Sequence, residues 1–256
     1  MAAPTADRVW VIVNTCYSYY TKTVSALLES LTDVGGVPSG RVIIVVGETE
    51  PGAPELECRG VAESGAAVHY APYANIDNNA LIWASGASSD VERYAPGAAA
   101  LPNNGWLFYL HDTCAVTEGF WGKVVSRAEA LENMAPQPLA AKLHGPYSMS
   151  CGFYSVAGLR RAAIREDLEH RLNLDRSDAA RLKIKQSLGT LEDHVFRLLA
   201  TEYSGALWVY PNVCEVLSRG ETPYATDTQR IYEYYADPGV IKRKANWGAS
   251  ELHLNL

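Results

Sequence analysis

The chain has 256 residues, 48% hydrophobic and 20% charged, the balance of a globular protein long enough to bury a full core. Its formal charge of −7 at pH 7 works against extended nucleic-acid binding but leaves room for a local pocket that takes one phosphorylated ligand. No apolar run reaches the roughly 20 residues that span a bilayer, and MAAPTADRVWVIV lacks the basic start of a signal peptide, so the expectation is a soluble, cytoplasmic protein with no transmembrane segment.

In chain order, Arg8 to Asn14 is a β-branched run that reads as a strand. Thr21 to Leu31 follows with Val24, Leu27, Leu28 and Leu31 at helical spacing. Glycines and Pro38 break the chain before Arg41 to Val46, an apolar run of the kind found in a parallel sheet covered on both faces, which ends in Gly47-Glu48-Thr49. Val61 to Gly65 is a short helix and Ala67 to Tyr70 a third strand, after which Asp77 caps a helix through Trp83. Ser85 to Asn104, rich in Gly, Ala, Ser and Pro, reads as a loop. Trp106 to Leu110 is a buried strand ending in His111-Asp112-Thr113, with a helix over Phe120 to Glu132 beyond it. Ala140 to Phe153 reads as two strands around Gly145-Pro146, Leu159 to Leu172 and Asp178 to Tyr203 as helices, and Ala206 to Tyr210 as a late strand. The remainder reads as irregular, with a basic patch at Lys242, Arg243 and Lys244.

Strands alternating with helices imply right-handed crossovers. The expected fold is therefore α/β, a Rossmann-like mixed, mainly parallel sheet flanked by helices, in a single domain over residues 1–256. In such a sheet, ligands bind outside the carboxyl ends of the strands. Four strand ends should meet there: Asn14-Thr15 with Tyr17 just beyond, Gly47-Glu48-Thr49, Tyr73 to Asn79 with Asn75 and Asn78, and His111-Asp112-Thr113. Carboxylates and amides on one edge suit the hydroxyls, ring edges and diphosphate of a nucleotide; the plain alternative is that strand ends are polar because they meet water. His111 reads first as a packed or surface imidazole and second as a ligand.

Asn14-Thr15 after the first strand, Glu48 after the second, the helix NIDNNALIWAS and then WLFYLHDTC resemble the nucleotide-binding half of a GT-A glycosyltransferase, in which the last of these elements carries an Asp-x-Asp motif. The likeness runs by order and position over about residues 8–200. It implies a nucleotide-binding half near 8–135 and an acceptor half near 136–256. HDT supplies one carboxylate where that motif has two. Asp112 would then hold Mn²⁺ or Mg²⁺ with phosphate oxygens completing the shell, or bind sugar hydroxyls in a metal-independent enzyme.

Leu191-Glu192-Asp193-His194 lies on an amphipathic pattern and resembles the x-Glu-Asp triplet that supplies the base of inverting members, which makes Asp193 the candidate base and Glu192 the second choice; a solvated helix face is the alternative. Ser150 to Arg161 resembles the acceptor-side strand, with Tyr147, Phe153 and Tyr154 as sugar-stacking candidates or ordinary core aromatics. By the same likeness the C-terminal basic patch and Trp247 would close over the diphosphate, with His253 as a further metal ligand; a solvated tail is the alternative.

The implied activity is transfer of a sugar from a nucleoside diphosphate donor, UDP by family habit, to a glycan or other hydroxyl acceptor, with inversion. Two rivals stay open. One is a nucleotide-sugar-binding protein without catalysis. The other is a cysteine-dependent hydrolase, because Cys114 follows His111 and Cys151 follows His144, although neither spacing forms a nucleophile elbow. Five cysteines without a CxxC pair read as reduced thiols, and the absence of GxGxxG after the first strand disfavours a dinucleotide oxidoreductase.

Overall fold

β-Branched runs bounded by turn residues become the strands of a central sheet in the computed structural model, which describes residues 5–86, 98–135, 137–142, 151–170, 172–177, 179–180, 183–184, 231–236 and 238–245. The strands are β1 (Val9–Cys16), β2 (Val42–Gly47), β3 (Ala67–Tyr70), β4 (Trp106–His111), β5 (Cys114–Val116), β6 (Ala140–Lys142), β7 (Gly152–Ser155), β8 (Ile231–Ala236) and β9 (Val240–Ala245). The helices are α1 (Tyr20–Glu29), α2 (Val61–Ser64), α3 (Asn79–Ser85), α4 (Phe120–Glu132), α5 (Val156–Leu159) and α6 (Ala162–His170). A six-stranded sheet runs in the order β3-β2-β1-β4-β7-β6. Its β3, β2, β1 and β4 are mutually parallel, and β7 runs antiparallel to both β4 and β6. The expected mixed, mainly parallel α/β fold is the observed one.

Alternation along each strand divides the core between two faces. Val9, Val11 and Val13 of β1, with Ile44, Phe108 and Phe153, pack against Val24, Leu27 and Leu28 of α1 and Phe120, Val124 and Leu131 of α4. Ile12, Ile43, Val45, Leu107, Tyr109 and Tyr154 point the other way, onto α3, α5 and α6 through Leu81, Trp83, Leu159, Ile164 and Leu168. Every residue of β2 and β4 is buried, as strands covered on both sides require.

Four expectations need correction. The helix expected over Phe120 to Glu132 is present, but between it and HDT lies the unexpected β5, which pairs antiparallel with β9, so the segment read as an irregular basic tail contains the strands of a second sheet, ordered β5-β9-β8. Asp77 is not a helix cap; it lies in the 3₁₀ turn Ile76–Asn78, and Asn78 stands at the N-terminus of α3 without a capping side-chain bond. The helix expected over 159–172 is broken between α5 and α6, and Ser155 caps α5 by accepting the Gly158 N–H at 3.3 Å. Phe153 and Tyr154 are fully buried in the two apolar layers, so they are core aromatics and not sugar platforms. Tyr147, His144, the helix expected beyond Asp178 from 185 onward, the strand at 206–210, Asp193 and Glu192, Cys214, Trp247 and His253 lie outside the described residues.

Candidate functional site

Consecutive connections leave β1 in opposite senses: β2 and β3 build the sheet to one side, and the chain then crosses to place β4 on the other. This makes the carboxyl ends of β1 and β4 a topological switch point, the place where a parallel sheet opens a crevice. Asn14 is in register with His111, and the Asp112 N–H donates to Asn14 O at 3.1 Å. The four strand ends singled out from the sequence therefore do meet along one edge.

Asp112 is set at that crevice by hydroxyls from two elements. Thr15 Oγ1 donates to its Oδ2 at 2.7 Å, and Thr23 Oγ1, one turn into α1, lies 2.9 Å from the same oxygen. Donation to an ionised carboxylate is the stronger kind of hydrogen bond, and two donors on one oxygen fix its direction. Between Asp112 and Glu48 stands Cys16, the last residue of β1, in register with Gly47. Burial, with smaller contributions from the Glu48 and Asp112 carboxylates, pushes the Cys16 thiol up to about 12 against a Ser18 hydrogen bond that lowers it. The edge is thus acidic, and its cysteine stays a thiol.

Glu48 carries a left-handed backbone, with φ of +61°, although it has a side chain, and Ile76 does the same at +52°. Among the described residues these are the two non-glycine positions with positive φ, and both lie on this edge. For a β-branched residue such a φ is a marked departure, costing on the order of 1–3 kcal/mol, and it persists only where neighbours over-determine it. The neighbours are on view. The Ile76 carbonyl accepts from Asn14 Nδ2 at 2.9 Å and Asn79 Nδ2 at 3.0 Å, while Asn14 Oδ1 accepts the Ala80 N–H at 2.9 Å. Glu48 N–H donates to Tyr73 O at 2.7 Å, and Thr49 N–H to Ala71 O at 3.1 Å. Asn79 reaches its place only because Gly47 has no side chain: a Cβ there would stand 2.0 Å from Asn79 Nδ2.

The turn at Ile76 has a further result. It brings Asp77 Oδ1 within 3.1 Å of His111 Nδ1, while Tyr109 donates its hydroxyl to the Asp77 carbonyl. His111 is 4% exposed, and its Nε2 is buried with no hydrogen-bond partner among the described residues. A carboxylate on Nδ1 fixes the ring and favours the tautomer whose Nε2 is an acceptor.

The remaining candidates divide by what they touch. Asn14 works on the backbone of the 76–80 segment. Tyr17 donates its hydroxyl to Pro54 O at 2.8 Å, which ties it to the loop after β2. Asn75 Oδ1 accepts the Asn173 N–H at 2.8 Å, and Asn78 is buried with its Oδ1 unpartnered among the described residues. Thr113 is half-buried in the turn between β4 and β5. Thr23 and Arg176 escape a sequence reading, and Asp77 reads there only as a helix cap. Thr23 sits inside a helix pattern, Asp77 is recruited through a backbone angle, and Arg176 arrives from beyond α6.

Two chemistries can be judged from these positions. Cys114 and Cys151 are 4% and 1% exposed and belong to the apolar layer under α1 and α4, so neither is presented to a substrate, and the described residues do not support the cysteine hydrolase. No group of three or more His, Cys, Asp or Glu side chains among the described residues is arranged to hold a metal ion.

No protein-family model matches the chain, and no curated protein matches it. Among solved structures it is similar to the apo-form glycosyltransferase GlyE of Streptococcus pneumoniae TIGR4, with 8% identity and a TM-score of 0.41 over 79% of this chain and 45% of that one. The chain thus spans less than half the length of the protein it matches. Among the described residues no helix is long and apolar enough to cross a membrane.

Proposed function

We propose that this protein transfers a sugar from a nucleoside diphosphate sugar to a hydroxyl acceptor. The observation that carries the reading is Asp112, held by Thr15 and Thr23 at the switch point of the parallel sheet and facing the same thiol as Glu48. Carboxylates on this edge accept hydrogen bonds from ribose or sugar hydroxyls and from ring N–H groups. Carboxylates repel a diphosphate unless a cation intervenes. Mn²⁺ or Mg²⁺ bound by Asp112, with His253 as a further ligand, would supply that charge neutralisation, and the cationic residues 242–244 are the alternative source in a metal-independent enzyme. Backbone register supports the latter's proximity, since Lys242 is paired with Cys114, two residues past Asp112.

In this proposal Asp193 takes the acceptor's hydroxyl proton as its oxygen attacks the anomeric carbon. The bond from that carbon to the diphosphate oxygen breaks with inversion, and the nucleoside diphosphate leaves with the electron pair. UDP is the proposed carrier by family habit, residues 136–256 the proposed acceptor half, and the cytoplasm the proposed setting, in keeping with Cys16, Cys58, Cys114 and Cys151 as free thiols. A binding protein without turnover is the second reading, favoured by the lone carboxylate of HDT.

Calorimetric titration with UDP, GDP and their sugars, with and without Mn²⁺, tests the donor site; no binding in any arm overturns the proposal. Asp193→Ala should abolish transfer in a product assay while donor affinity stays within about twofold, since a base removed from the acceptor side leaves donor contacts intact. Loss of donor affinity instead would refute its role as base, and nucleotide-sugar binding without any turnover by the parent protein would favour the second reading.

A further inference from the structure

The backbone at Glu48 is held from a distance by one side chain. Arg176 lies in the segment after α6, and its Nη2 donates to Thr49 O at 2.8 Å and to Pro72 O at 3.2 Å. Thr49 is the residue after Glu48. Pro72 stands between Ala71 and Tyr73, whose carbonyls accept the amides of Thr49 and Glu48. The guanidinium therefore crosslinks the loop after β2 to the loop after β3 at the spot where the two are paired. Beside it, Asn173 doubles the attachment. Its carbonyl accepts the Ala74 N–H at 2.8 Å, its N–H donates to Asn75 Oδ1 at 2.8 Å, and its Nδ2 donates to Ala74 O at 3.2 Å.

An arginine suits this place because its donors sit in a fixed plane, so two carbonyls are gripped at little entropic cost. What the grip opposes is specific. A left-handed φ at Glu48 relaxes unless both the turn that contains it and the loop it pairs with are immobilised. We infer that Arg176 is a positioning residue, which holds Glu48 in its left-handed conformation and so keeps that carboxylate on the ligand edge beside Cys16 and Asp112. For the ligand, the inference rests on the donor site proposed above; for the conformation it stands alone.

A double-mutant cycle separates the two. The set is the parent protein, Arg176→Ala, Glu48→Gly and the double variant, each measured for melting temperature and for UDP affinity by calorimetry. Glycine adopts positive φ without strain, so Arg176→Ala should lower the melting temperature by its full lost bonding in the Glu48→Gly background and by clearly less when Glu48 is present, because there the left-handed backbone relaxes once released and the strain given up offsets part of the loss. Arg176→Ala should also weaken UDP about tenfold in the Glu48 protein and add no further loss once the carboxylate is gone. Equal drops in melting temperature in both backgrounds would overturn the inference and leave Arg176 as general scaffolding. If the parent does not bind UDP, the donor reading fails, and the melting temperatures still decide on Arg176. Should Arg176→Ala not fold, Arg176→Lys takes its place in the cycle, with the same contrast between backgrounds expected.

Discussion

The two ends of the parallel sheet are built on different terms. At the amino ends of the strands, Arg8 pairs with Glu132 of α4 at 2.9 Å, Thr5 donates to the same carboxylate at 3.1 Å, and Arg41 lies over Trp10 while reaching Asp7 at 3.1 Å. These are ordinary ion pairs, Arg8–Glu132 partly buried and Arg41–Asp7 open to water, and among the described residues this end has no side-chain-bearing residue in the left-handed region. At the carboxyl ends, Glu48 and Ile76 both adopt it, three asparagines hold backbone in place of solvent, and a buried imidazole leans on a carboxylate. One end is stabilised in a way any fold of this class would use. The other maintains an arrangement that local preference resists, which is the condition expected where a ligand is met.

The contrast is broken most severely by a matched pair of glycines. Gly47 sits at the carboxyl end under Asn79, and Gly105 at the amino end, where an added Cβ would meet Trp10 at 2.9 Å and Pro102 O at 3.0 Å. Gly47→Ala should cost about 3 kcal/mol in urea unfolding and abolish UDP binding, because Asn79 loses its hold on Asn75 and Ile76. Gly105→Ala should cost roughly 2 kcal/mol and leave UDP affinity unchanged. If both variants lost binding, the two ends would not differ as described.

A smaller effect is expected at Asp112. Asp112→Asn retains the size of the side chain but removes the charge that Thr15 and Thr23 address, and it should weaken UDP in the presence of Mn²⁺ at least tenfold, on the order of 1.4 kcal/mol. Unaltered affinity would remove Asp112 from the donor site. The mildest probe is the thiol between the acids. The folded Cys16 value near 12 exceeds its ordinary 9.0, so the fold binds the proton more tightly than the unfolded chain. That contribution to stability is complete below about pH 9 and is lost as pH rises toward 12. Cys16 should accordingly react slowly with iodoacetamide at pH 8, and faster in Asp112→Asn; equal rates would mean that the carboxylates do not act on it.

What was legible in the sequence follows from what the sequence repeats. β1, β2 and β4 show as unbroken β-branched or apolar runs because both of their faces are covered, and α1 and α4 show by the spacing of Val24, Leu27, Leu28 and Leu31 or by clear breaks at their ends. The strand-end acids Glu48 and Asp112 were legible for the same reason, since a polar residue closing such a run has only one end of the sheet to occupy. β5 was not, because three residues carry no period. β9 was hidden by the charge of Lys242, Arg243 and Lys244, and β8 went unread with it, although Asp237-Pro238-Gly239 between the runs IYEYYA and VIKRKA is a turn signal in its own right. The His111–Asp77 contact could not be read at all, because it depends on a backbone angle at Ile76 that isoleucine ordinarily avoids.

The pairing of β5 with β9 has a consequence for how this chain becomes itself. Val116 waits opposite Val240, so the strand that leaves the HDT turn acquires its neighbour only after the intervening residues 117–239 have emerged. Closing so long an interval is slow compared with zipping adjacent elements together. During synthesis the parallel sheet can therefore form early while the wall beside Asp112 stays incomplete, and that element should be the last to gain protection against hydrogen exchange in a refolding experiment.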